Sequence, residues 1–107
     1  MEIDELSVSE LKAKIDNKDT FELIDVREPH EYEICKLEKA ELIPLATLES
    51  KLVGLDKSKE YIIHCKMGGR SATAVGIMLE NGFEHVQNLA GGINAWAREI
   101  DTDMPQY

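Results

Sequence analysis

The sequence predicts an α/β fold, a small central parallel sheet of about five strands with helices on both faces. Short apolar runs of strand length, FELID, YIIH and HVQNL, alternate with longer stretches of helical period. These runs are apolar at successive positions, which suits strands covered on both sides. A repeated order of strand then helix implies parallel pairing through right-handed crossovers. At 107 residues and 43% hydrophobic content, the chain (1–107) has the size of a single domain with one core.

After EID, a helix is expected from Ser7, because Ser7 and Glu10 have capping-box spacing and Leu11 and Ile15 lie one turn apart. Phe21 to Asp25 is the first convincing strand. In REPHEYE, Pro29 stands near a short helix start, where its missing N–H is no loss. Glu41 to Leu45 reads as a strand stopped by Pro44, and TLESKLVGL as an amphipathic segment with Leu48 and Leu52 on one side. Tyr61 to His64 is a third strand. A helix from Ser71 to Asn81 carries Ala72, Val75 and Leu79 along one face, widened by Ala74, Ile77 and Met78, and Gly82 caps it. HVQNL is the last strand and GGINAWAREI the last helix, with Ile93, Trp96, Ala97 and Ile100 aligned. The polar tail DTDMPQY is expected on the surface.

Twelve basic against 21 acidic side chains give a net charge of -9, which repels nucleic acid and anionic membranes alike. An anionic ligand therefore needs a local positive site. No apolar run reaches membrane-spanning length, and MEIDELSV lacks the basic and apolar regions of a secretory leader, so a cytoplasmic location is expected. Cys35 and Cys65 have no C-x-x-C spacing, which suggests neither zinc nor a redox dithiol. A reducing compartment also disfavours a disulfide between them.

The stretch HCKMGGRSA lies at the end of the YIIH strand, where ligands sit in open α/β folds. Cys65 to Arg70 reads as a six-residue loop before the Ser71 helix. Gly68 and Gly69 allow positive φ and remove bulk, so successive backbone N–H groups can turn inward as an anion nest at the positive end of the helix dipole. A thiol placed first in such a nest favours its thiolate. Cys65 is therefore the candidate nucleophile, with Lys66, Met67, Gly68, Gly69 and Arg70 as its anion-binding loop. Lys66 is suited to steer an anionic donor, and Arg70 to hold the loop and add charge. The spacing is C-x4-R, one residue shorter than the C-x5-R ring of cysteine phosphatases, and the smaller ring suits a single sulfur atom.

From LIDVREPHEYE through HCKMGGRSA to LAGGINAW, the chain resembles a single-domain rhodanese, a sulfurtransferase. More narrowly, EPHEYEICKL, CKMGGRS and the ending DMPQY resemble the rhodanese-like domain at the C-terminus of adenylyltransferases of the molybdopterin-synthase-activating and thiamine-biosynthesis type. The resemblance implies ping-pong transfer of sulfane sulfur through a Cys65 persulfide, from thiosulfate or a protein persulfide, with no metal or organic cofactor. It implies a sulfur-carrier protein or adenylyltransferase as partner. It also implies that Asp25 and Arg27 brace the site through hydrogen bonds and ion pairs, with Arg27 the weaker candidate to face a substrate. Where the family commonly has G-H-I-x-G-A, this chain has Cys35, Lys36, Leu37, Glu38, Lys39 and Ala40.

Blander readings accompany several of these residues. Cys35, with no glycine loop, reads as a structural thiol, the alternative being a resolving or relaying one. His64 reads as a buried histidine pointing away from Cys65, because adjacent strand residues face opposite ways. His30 and His85 read as surface residues, Trp96 as core, and Met67 equally as loop filling or as part of an entrance. Two rival functions stay open: a non-catalytic rhodanese-like binding module, and a cysteine phosphatase or arsenate reductase.

Overall fold

In the computed structural model, which describes residues 3–107, five parallel strands lie in the order β1-β5-β4-β2-β3. The strands are β1 (Glu5–Leu6), β2 (Glu22–Asp25), β3 (Glu41–Leu42), β4 (Glu60–His64) and β5 (His85–Leu89). The helices are α1 (Val8–Asp16), α2 (Pro29–Ile34), α3 (Leu45–Lys51), α4 (Gly69–Glu80) and α5 (Gly92–Glu99), with a 3-10 turn at Leu52–Gly54. Central β4 has β5 on one side and β2 on the other, so the segment leaving its carboxyl end is walled by both neighbours.

The core is two layers. On the α3/α4 face, Ile24, Val26, Tyr61, Ile63 and Cys65 pack with Leu48, Leu52, Val75 and Met78. On the α1/α5 face, Leu23, Ile62 and Leu89 pack with Leu11, Leu37 and Ile93. Successive residues of β4 thus go to opposite layers, which is why Tyr61, Ile62 and Ile63 are apolar without alternation. Cys65 continues the alternation on the α3/α4 side.

Several boundaries differ from the sequence reading. The Ser7 capping box and the Leu48/Leu52 stripe form as expected. The strand expected from Glu41 to Leu45 stops at Leu42, because α3 begins directly after Pro44. Phe21 lies outside β2. Edge strand β1 is only two residues long and carries no readable period. Helix α4 starts at Gly69 rather than Ser71 and buries Ser71, Ala74, Val75 and Met78, leaving Ala72 and Leu79 half-buried. That rotation of the stripe carries Ser71 inward. The tail is not a free surface segment: Met104 and Tyr107 are half-buried against the α1/α5 layer.

The two glycines missing relative to the family pattern have different consequences. Cys35 has φ -163°, extended backbone that any residue adopts. Lys39 sits at φ +69°, where an L side chain costs about 1–2 kcal/mol. Lys39→Gly should therefore raise stability by roughly 1 kcal/mol, the relief of strain exceeding the glycine's extra unfolded-state entropy of about 0.5–1 kcal/mol. A higher urea midpoint at unchanged slope is the expected reading.

Candidate active site

Cys65 follows β4 directly and is 1% exposed. Its chain turns at Gly68, the N-cap of α4, whose φ of +115° is open to glycine alone without strain. The turn brings the Gly68 N–H to 3.1 Å from Cys65 Sγ, with Ser71 Oγ at 3.3 Å. Burial by itself pushes the thiol up. The Ser71 hydroxyl and the backbone N–H groups of Ser71, Gly68 and Met67 outweigh it, and the net displacement is below the ordinary thiol value. The segment between strand and helix is shorter than the six residues expected, because Gly69 and Arg70 already belong to the first turn of α4.

What turns these N–H groups inward is helix α5. Its N-terminal amides donate outward to the loop, Ile93 N–H to the Cys65 carbonyl at 2.9 Å and Asn94 N–H to the Lys66 carbonyl at 3.1 Å. With these carbonyls held by α5, the opposite edges of the loop peptides are left to face the sulfur. The approach is so close that a Cβ at Gly92 would lie 2.5 Å from the Lys66 oxygen and 2.6 Å from the Cys65 oxygen. Gly92 also has φ +60°. The GG of LAGGINAW is thus part of the thiol's setting.

A second network holds Arg70. Its Nη1 and Nη2 donate to Glu31 Oε1 and Oε2 at 2.6 and 2.9 Å. Glu31 is the N3 residue of α2 and also accepts the Glu28 N–H at 3.0 Å. Tyr107, reaching back from the tail, donates its hydroxyl to Glu31 Oε2 at 2.7 Å and accepts from Arg27 Nη1 at 2.8 Å. Burial and the Glu31 hydrogen bond push the Tyr107 phenol up to about 12, Arg27 opposing them. Lys66 Nζ lies 4.7 Å from the centre of the same ring, a cation–π arrangement.

Arg27 is fully buried and each of its five N–H donors is occupied. Nε donates to Asp25, Nη2 to Asp25 Oδ2 and the Cys35 carbonyl, and Nη1 to the Glu31 carbonyl and Tyr107. Arg27 has no donor left to face a substrate. Asp25 and Arg27 form a fully buried ion pair at 2.7 Å, and Glu31 and Tyr107 join that pair to Arg70.

Met67 is 69% exposed, so it does not fill the loop. His64 is fully buried; its Nδ1 lies 3.3 Å from the Cys65 carbonyl and its Nε2 3.8 Å from Asp25 Oδ2, and burial moves its pKa down. Neither nitrogen is paired with the sulfur. Cys35 is half-buried at the end of α2, with its carbonyl bonded to Arg27. Trp96 is half-buried and lines a groove of about 780 Å³ with Ile15 and Phe21, away from the loop. Sequence reasoning missed Glu31, Ser71, Asn88 and Tyr107 as members of the site.

The family model of the rhodanese-like domain matches residues 7–99. This chain belongs to the rhodanese-like family. Among its rhodanese-like relatives is YtwF of Bacillus subtilis, which carries a provisional sulfurtransferase name; it is 39% identical over 92% of this chain and 95% of its own length. The adenylyltransferase and sulfurtransferase MOCS3-1 of Zea mays is 34% identical over 95% of this chain, and the match spans only 23% of that protein. The chain therefore covers about a quarter of the adenylyltransferase relatives it matches. A crystal structure of a rhodanese-like domain protein from Staphylococcus aureus superposes with a TM-score of 0.83 at 32% identity, covering 88% of this chain and 91% of that one. Fold and family together support a sulfurtransferase family role. Among the described residues, no helix is long and apolar enough to cross a membrane.

Two outcomes follow from this geometry. Gly92→Ala should cost about 2–4 kcal/mol in denaturant melts, from left-handed strain together with contact against two carbonyls, and should slow alkylation of Cys65 in the protein that remains folded. Glu31 is held well below its ordinary range, first by the Arg70 hydrogen bonds. A depressed carboxylate stabilises the fold above its unfolded pKa of about 4.3 and loses that contribution as the pH falls through and below it. Urea melts of Glu31→Gln should show a smaller acid-side fall in stability than the wild type.

Proposed function

We propose that the chain is a rhodanese-type sulfurtransferase that carries sulfane sulfur as a persulfide on Cys65. The observation that carries this reading is a buried thiol met by the Ser71 hydroxyl and by inward N–H groups at a helix start, which together hold it below its ordinary pKa. Such a cradle supports a negative sulfur without a paired cation, which suits both the thiolate and the terminal sulfur of a persulfide. Family membership and the sulfurtransferase names of its relatives support the same class.

In the first half-reaction, Cys65 thiolate attacks the outer sulfur of a donor. A bond forms between Sγ and that sulfur, and the donor's own bond to it breaks; from thiosulfate, sulfite leaves with the electron pair. In the second half-reaction, a nucleophilic acceptor attacks the outer sulfur, and Sγ leaves again as thiolate. Electrons balance within each exchange, so no cofactor enters the scheme. Lys66 beside the entrance adds local positive charge for an anionic donor, and Arg70 ties the first turn of α4 to α2. The names of the adenylyltransferase relatives favour a sulfur-carrier protein or an adenylyltransferase as partner.

Mass spectrometry of protein treated with thiosulfate, or with a persulfide donor, tests the assignment. The wild type and Cys35→Ser should gain the mass of one sulfur atom, and Cys65→Ser should gain none. An adduct that persists on Cys65→Ser would overturn it.

A further inference from the structure

We infer that Asn88 is the positioning residue of the sulfur cradle, one side chain on β5 bonded to both Gly68 and Ser71, which contact Cys65 Sγ at 3.1 and 3.3 Å. The inference rests on the reading of Cys65 as the sulfur-carrying thiol and adds the means by which its surroundings are held.

Asn88 is 1% exposed and lies beside Ile63 of β4 and Glu5 of β1 in the sheet register. Its Nδ2 donates to the Gly68 carbonyl at 3.2 Å and to Glu5 Oε2 at 3.0 Å, and its Oδ1 accepts the Ser71 hydroxyl at 2.5 Å. The amide has one workable orientation. Reversing it would set its oxygen against a carbonyl and a carboxylate, neither of which can donate.

The Gly68 N–H and Ser71 hydroxyl contacts to the sulfur both come from partners of this amide. Gly68 gives its N–H to Sγ, and its carbonyl is held by Asn88. Gly68, at a φ that only glycine takes easily, has little backbone preference of its own to hold that geometry. Ser71 has a single hydroxyl proton and two acceptors, Asn88 Oδ1 at 2.5 Å and Cys65 Sγ at 3.3 Å. The nearer acceptor takes the proton while Cys65 is a thiol, and the Ser71 oxygen then faces the S–H as an acceptor. When the thiolate forms, the hydroxyl turns towards sulfur, away from Asn88. Asn88 thus governs the aim of one donor and the availability of the other. A buried amide is costly unless bonded, and apart from Glu5 the hydrogen-bond partners of Asn88 are Gly68 and Ser71 of the cradle.

The test separates the two effects. Ser71→Ala and Ser71→Ala/Asn88→Ala are prepared with Cys35→Ser, so that Cys65 alone reacts and no hydroxyl competes for the sulfur. Alkylation by iodoacetamide is followed across the pH range around the ordinary thiol value of about 8.5. Loss of the amide should raise the Cys65 midpoint by about one pH unit, because the Gly68 N–H loses its fixed aim. Midpoints that coincide, or a lower one in the double variant, would overturn the inference. If circular dichroism shows the double variant unfolded, Ser71→Ala/Asn88→Ser gives the same comparison, its short hydroxyl being unable to span both Gly68 and Glu5. The thiol titration does not depend on sulfur transfer. Failure of the sulfurtransferase reading would appear instead as a wild type that gains no sulfur while the Asn88 shift persists.

Discussion

The contact on which the site depends is the seating of the Cys65 and Lys66 carbonyls on the N-terminal amides of α5. A strand end followed by a glycine-rich turn has many conformations, and only some of them turn peptide N–H groups towards the first side chain. Ile93 and Asn94 select among these by binding the carbonyls from outside. Gly92 permits the approach, Gly68 permits the turn, and α4 can then begin two residues earlier than its apolar pattern suggests. The loop is therefore built from tertiary hydrogen bonds as much as from its own sequence.

The second constraint is electrostatic. In a chain of net charge -9, a buried thiolate gains nothing from the overall field, and burial opposes it further. The nearby guanidinium groups are already matched: Arg27 by Asp25, and Arg70 by Glu31, with Tyr107 between them. Those pairs fix where α2, α4 and the tail meet. Support for the sulfur comes from the Ser71 hydroxyl and from backbone dipoles at contact distance, the latter holding their orientation without reorganising as charge develops. Lys66 supplies positive charge at the mouth, stacked against the tail tyrosine.

Much of this was legible in the chain, and the reasons for the remainder are physical. The three longer apolar runs, at β2, β4 and β5, announced their strands because burial on both faces leaves a nearly unbroken signal, whereas β1 and β3 are two-residue edge strands with little period to read. Cys65, its glycines and Arg70 are contiguous, so a loop motif reveals them. Glu31 could have been found: Glu28 and Glu31 repeat the spacing recognised at Ser7 and Glu10, and both pairs form capping boxes. Asn88 left a fainter sign, a polar residue in the buried strand HVQNL. Tyr107 left only its membership of the ending DMPQY, since its place between Arg27 and Glu31 is set by residues 80 and 76 positions away. The apolar pattern of α4 includes the buried Ala74, Val75 and Met78 but not Ser71, because a serine at the helix start carries no apolar signal although its hydroxyl faces the sulfur.

The central claim is that backbone donors, aimed by α5, hold a buried sulfur as an anion. The most direct measurement is the pH dependence of iodoacetamide alkylation of Cys65 in the otherwise unaltered Cys35→Ser protein. The account predicts a midpoint below the ordinary thiol value of about 8.5. A midpoint at or above that value would contradict it.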